Sequence, residues 1–236
     1  SYSAAVVEFE KVVSKDPKGK LGMQALYRAA TTQALFLSEY ADAVKKFRIY
    51  SQGPVDPESA WEAKVQVGDI LFTKTEQFEQ TLSHYEGLLK ERPNSPDAPE
   101  FMFRVAKSWF FLLRFEEAAK KFGELVEKYP KSVWAERAAF ETGVTYYTRG
   151  EQQKDRESGD PYQQALQAYE SFVKKYPKST LVPEAQFGIA SCLEEKGQLE
   201  HAYSMYSALA RSYPSPGVIQ IKLSRLKERV AHRGGR

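Results

Sequence analysis

The residues able to do chemistry are few and scattered. The chain has three histidines, His84, His201 and His232, and a single cysteine, Cys192. Zinc needs three or four converging ligands. The three histidines sit in separate repeats and supply no converging set of three, so no metal is expected. Adjacent carboxylates occur at Glu116–Glu117 and Glu194–Glu195. Neighbours on a helix diverge by about 100°, so neither pair is a ready acid–base dyad, and both read as solvated faces. Asp69 and Lys74 read as ordinary surface charges. Cys192, in the helical setting GIASCLEEKG, reads as a small buried side chain and cannot form an intramolecular disulfide. There is no nucleophile elbow, phosphate-binding loop or dinucleotide glycine motif. Neither an enzyme nor a cofactor is expected; what remains is the chemistry of recognition.

Composition narrows the partner. Of 236 residues, 42% are hydrophobic and 28% charged, with a net charge of +3. Lys/Arg and Asp/Glu alternate as they do on solvated helix faces. A nucleic-acid surface shows as a clustered basic stripe, and none occurs before the last fifteen residues. Apolar runs such as Trp109–Leu113 fall far short of the ~18–20 residues of a membrane helix. The expected partner is a protein or peptide, not nucleic acid or a small molecule. Contact with a membrane is expected only through an anchor upstream.

The elements that must position such a surface are repeated. In FEEAAKKFGELVEKYP, Phe115 is followed by Ala118, Phe122 and Pro130. The frame recurs at Tyr162 (Ala165, Tyr169, Pro177), Leu199 (Ala202, Tyr206, Pro214) and Tyr2 (Ala5, Phe9, Pro17). Looser copies start at Phe78 and Tyr40, and the successive spacings are 38, 38, 37, 47 and 37 residues. A small residue follows most of the prolines by thirteen: Ala30, Ala106, Gly143 and Ala190, with Gly68 in the loose copy. Apolar residues fall at helical three-and-four spacing, and twelve helices result. They run at about 2–15, 21–38, 41–51, 57–73, 76–90, 98–113, 115–128, 133–148, 161–175, 182–196, 199–212 and 217–232. In each hairpin the small residue lets the first helix approach the second, and the aromatic fills the gap between neighbouring units.

The order Ala106, Trp109, Ala118, Phe122, Pro130 resembles the tetratricopeptide repeat (TPR). Gly143, Tyr146, Ala165, Tyr169, Pro177 repeats it, as does Ala190, Leu193, Ala202, Tyr206, Pro214. The resemblance implies an all-α, right-handed superhelical solenoid over residues 1–236, of about five to six repeats, the first lacking its first helix. It also implies a non-enzymatic scaffold that binds its partner in a concave groove. The long loops of the YPKS type are similar to those of bacterial cell-envelope TPR proteins, the outer-membrane assembly lipoproteins of the BamD kind and the Tol-associated coordinators of the CpoB kind. That likeness implies a periplasmic or outer-membrane-associated place in an envelope assembly. The alternatives are a cytoplasmic adaptor and a regulatory domain attached to an enzyme.

Three departures stand out. The first helix opens inside a repeat, and Val6, Phe9 and Val12 would lack a neighbour on one side unless more chain lay upstream. The fourth spacing carries an extra polar stretch, 151–160, expected as an extended loop. The segment 217–236 breaks the frame and is expected to be a capping helix with a basic tail. In the solenoid the first helix of each hairpin lines the groove. Counting from the small residue gives the candidate partner-binding residues Tyr27, Asp69, Phe72, Lys107, Phe110, Phe111 and Tyr147. Aromatic anchors with few charges suit an apolar peptide or a partner helix. Phe103, Phe140 and Phe187 are expected in the hairpin cores instead.

Overall fold

In the computed structural model, which describes residues 1–152 and 159–234, the described residues form helices and turns with no strand. They fall into two compact units, Ser1–Arg104 and Val105–Arg236. The first unit holds α1 (Tyr2–Lys15), α2 (Lys20–Thr32), α3 (Tyr40–Ser51), α4 (Pro57–Thr73), α5 (Phe78–Glu91) and the start of α6 (Ala98–Phe111). The second holds the rest of α6, then α7 (Phe115–Lys128), α8 (Val133–Gln152), α9 (Pro161–Lys175), α10 (Val182–Glu195), α11 (Leu199–Leu209) and α12 (Pro216–Gly234).

Local chemistry sets the ends. Asp56 caps α4, accepting from the Ser59 amide at 2.9 Å, and Pro57 follows at the first helical position. Asp160 and Pro161 do the same for α9, Asp160 accepting from the Tyr162 and Gln163 amides. Helices α7 and α9 stop at Tyr129 and Tyr176, just before Pro130 and Pro177. The turn inside five hairpins uses one device: a residue with positive φ two positions before the second helix. These are Ser38, Glu76, Leu113, Gly159 and Gly197, and only the last two are glycines. The absence of glycine at the other three hides this turn from the sequence.

The helix limits differ from expectation in instructive places. The second helix does not run on as an α-helix to Ser38; it changes to a π-helical turn at Gln33–Leu37, closed by Ser38 at φ 57°. Helix α8 continues one turn past the expected end at 148, to Gln152, so the first two residues of the polar stretch, 151 and 152, are helical. Its middle, 153–158, and the end of the basic tail, 235–236, lie outside the described residues. α12 is a helix that caps the last hairpin, burying Ile219 and Leu226 with Tyr206 and Leu209.

The frame residues make the cores. Ala43, Phe47, Tyr85, Ala118, Phe122, Ala165, Tyr169, Ala202 and Tyr206 are all buried. In the first unit Ala30, Val44, Ala63, Val67, Ile70 and Leu71 pack round Phe47. The glycines mark the closest approaches. A Cβ on Gly68 would lie 2.7 Å from the Tyr85 ring. The Tyr169 ring is gripped on two sides: Cβ atoms on Gly143 of α8 and Gly188 of α10 would each lie 2.5 Å from it. Phe103 is buried, and Phe140 and Phe187 pack against the cores of the second unit. The first copy differs. In α1 only Val6 is buried, while Tyr2, Val7 and Val12 are exposed.

Candidate functional site

The groove residues separate by unit. In the first, Tyr27 is half-buried in the core, edge-on to Phe47 and tilted on Tyr50. Burial and the nearby Glu62 carboxylate push its hydroxyl pKa up. Asp69 and Phe72, one turn apart on α4, are joined by a residue absent from the expected set. The Arg104 guanidinium reaches the Asp69 carboxylate at 2.8 Å and lies 5.4 Å from the centre of the Phe72 ring. Tyr85 donates its hydroxyl hydrogen to Asp69 at 3.0 Å and accepts from Arg104 at 3.0 Å, while Glu100 binds the other edge of the guanidinium. Burial outweighs the Arg104 charge and holds the Asp69 carboxyl above its ordinary pKa. Asp69 is therefore not the ordinary surface charge expected; it is the acceptor of a half-buried network.

In the second unit Lys107, Phe110 and Phe111 form one cluster. The Lys107 ammonium lies 4.5 Å from the centre of the Phe110 ring and 5.0 Å from that of Phe111. Glu141 of α8 holds it at 3.1 Å. Phe110 packs edge-on against Phe115, but Phe111 leaves 43% of its surface exposed. Tyr147 stands apart from the cluster. It is half-buried, edge-on to Tyr162 of α9, and burial pushes its hydroxyl pKa well up.

One register relation generates two of the partners that were missed. The residue after the small position of one first helix pairs with the residue two before the small position of the next. Asp69 pairs with Arg104 and Lys107 with Glu141, with the signs reversed. Glu194 stands four residues after the small Ala190 and so falls outside this relation: where α12 replaces a first helix, Lys222 and Arg229 bind it at 2.9 and 2.7 Å. Glu194 is only 7% exposed, so it is a buried acceptor rather than the solvated face expected, and the Tyr206 hydroxyl faces it too. The signal was available as opposite charges about 35 residues apart, but only once the repeat register had been fixed. Arg149, buried between Glu116 and Gln164, follows no such rule and carries no sequence signal.

No group of three or more His, Cys, Asp or Glu residues able to hold a metal occurs among the described residues. Burial raises the Cys192 thiol to about 12, which keeps it protonated at neutral pH.

Comparison with known proteins agrees with this architecture. Models of the tetratricopeptide repeat match residues 100–132 and 155–215, so the chain carries tetratricopeptide repeats. No match was found among curated proteins. Among solved structures it is similar to MamA from Desulfovibrio magneticus RS-1, at 17% identity and a TM-score of 0.58, over 84% of this chain and 99% of that one. A tetratricopeptide repeat protein from Parabacteroides merdae aligns over 98% of this chain and 80% of its own, at 15% identity and a TM-score of 0.57. YrrB, described as a TPR protein with an unusual peptide-binding site, covers 90% of this chain and 95% of its own at 13% identity and a TM-score of 0.55. At these identities the likeness is one of fold: an all-α TPR solenoid.

Proposed function

We propose that this chain is a non-enzymatic interaction scaffold that binds an apolar or aromatic protein segment beside Phe111 in the second unit. The observation that carries this is Phe111 itself. It is a large aromatic side chain left 43% exposed at the end of a helix whose other aromatics are buried or half-buried. It stands next to an ammonium already neutralised by Glu141. A charge spent on an internal pair cannot discriminate strongly between partners, so the ring supplies the binding energy and the pair shapes its surroundings. The peptide-binding site named for YrrB supports a ligand of this kind.

Selecting peptides from a displayed library against the purified chain, then measuring affinity for Phe111→Ala, tests the proposal. The expected loss is about tenfold or more, with the urea-unfolding midpoint close to that of the parent. Unchanged affinity would overturn it. Tyr147→Ala serves as a second variant, expected to weaken binding less and stability more.

The setting we propose is the bacterial envelope, in an assembly at the periplasmic face of the outer membrane. The YPKS-type loops support it. Fractionation of cells expressing the full-length tagged gene product should place the protein in the periplasm or the outer membrane. Recovery only from the cytosol would instead favour the cytoplasmic adaptor.

A further inference from the structure

A recess lies in the first unit, beside His84, the neighbour of the Tyr85 ring. It is a cavity of about 570 Å³ between α3 and α5, floored by α4. Val67 and Leu88 give it an apolar base, and Arg48, Lys64, Gln80, Ser83, His84 and Glu91 surround it. Most of that rim is occupied internally. Lys64 is held by both oxygens of Glu91, at 2.7 and 2.8 Å. The His84 Nε2–H donates to the Lys64 carbonyl at 2.6 Å, which leaves Nδ1 as an acceptor. Burial is the main cause that lowers the His84 pKa, with the Arg48 and Lys64 charges adding to it, so the ring is neutral at pH 7. Arg48 has no hydrogen-bonding or ion-pairing partner for its guanidinium among the described residues. The recess therefore holds one unspent positive charge.

Gly87 is the second, independent observation. It lies inside α5, where glycine costs about 1 kcal/mol relative to alanine. Gly68, Gly143 and Gly188 are explained by rings that press on them, but a Cβ on Gly87, as on Gly123 of α7, would meet nothing within 4 Å, and of these two only Gly87 borders the recess. Its bare backbone lines the recess. No packing neighbour requires glycine here, and its effect is to keep a side-chain-sized space open beside Leu88.

We propose that this recess binds a peptide segment through one acidic side chain, whose carboxylate pairs with Arg48 while its methylene stem lies in the space left by Gly87. A carboxylate accepts two hydrogen bonds from a guanidinium in matching geometry. Gln80 and Ser83 can hydrogen-bond the peptide backbone on either side. The volume falls in the range of sites that enclose a small ligand or a few residues. The recess belongs to the first unit and Phe111 to the second, and the two proposals can succeed or fail independently.

The test is an NMR titration of the intact chain, following the His84 ring and the Ser83 and Gly87 amides. The probes are the peptide Ac-Ala-Glu-Leu-amide, its glutamine counterpart and inorganic phosphate. The glutamate peptide should shift these signals saturably, and the glutamine peptide should bind about tenfold more weakly. Arg48→Gln should weaken binding by a similar factor. Gly87→Leu, which fills the recess and favours helix, should abolish it, while Phe111→Ala leaves it unchanged. Equal binding of the two peptides, or no saturable shift, overturns the proposal. Shifts from phosphate alone, with neither peptide active, overturn the peptide reading in favour of a small-anion site.

Discussion

The two ion pairs on the first helices, Asp69–Arg104 in one unit and Lys107–Glu141 in the other, occupy equivalent places in the repeat and are built differently. Arg104 is shared among Asp69, Glu100 and Tyr85, and it covers one side of Phe72. Removing it would strand three groups. Lys107 has a single carboxylate and two rings, one of them exposed. The first arrangement is closed on itself; the second leaves an aromatic surface to spare. Register thus fixes where a pair goes, while the side chains round it decide whether the place is structural or available to a partner.

The largest expected effect breaks the comparison directly. Arg104→Leu should cost about 2–3 kcal/mol, because it leaves Asp69 and Glu100 facing a half-buried space without their counter-charge; the partial exposure of Asp69 keeps the loss below that of a fully buried pair. Lys107→Met keeps the stem over the two rings but strands one buried carboxylate, Glu141, where Arg104→Leu strands two, so it should cost about 1–2 kcal/mol. Urea unfolding followed by circular dichroism gives both numbers, and equal losses would remove the distinction.

A pH series sharpens it. The folded Asp69 carboxyl is held above its unfolded value by burial, so the folded state keeps the proton to higher pH. This group's contribution is therefore largest below the unfolded value of roughly 4 and is lost as pH rises through the raised folded value. Stability of the parent relative to Asp69→Asn should fall over that interval. A flat difference would mean that Asp69 is as well solvated folded as unfolded.

The smallest effect is a control on both units. Glu76 and Leu113 hold the left-handed turn that Gly197 holds without strain. Glu76→Gly and Leu113→Gly should each raise stability by up to about 1 kcal/mol. Gains that differ widely between the two would show that the hairpin turns are not equivalent.

What the sequence made legible follows from what periodicity records. Ala118, Phe122 and Pro130 mark an amphipathic helix, its packing face and its stop, and these set the all-α solenoid and the order of its helices. The hairpin turns were not legible, because Ser38, Glu76 and Leu113 adopt positive φ without being glycine. The π-helical turn at Gln33–Leu37 was hidden for the same reason: its residues read as ordinary helix formers. Among the groove residues, Lys107, Phe110 and Phe111 come together as a cluster, whereas Tyr27 and Tyr147 lie partly in packing. Arg104, Glu141 and Glu194 were missed because a charge in a single helix does not show whether it faces water or the next repeat.

The grip of Gly143 and Gly188 on Tyr169 has a consequence for how such a chain can change. The ring serves as a spacer whose thickness is shared by two hairpins, and neither glycine can gain a methyl group unless the tyrosine also shrinks or moves. A repeat lifted out of this part of the chain and placed elsewhere would carry half of a matched set. Insertion and shuffling are therefore easier at the polar stretch after Gln152 than between α8 and α10, and this part of the array should be inherited as a block rather than as interchangeable units.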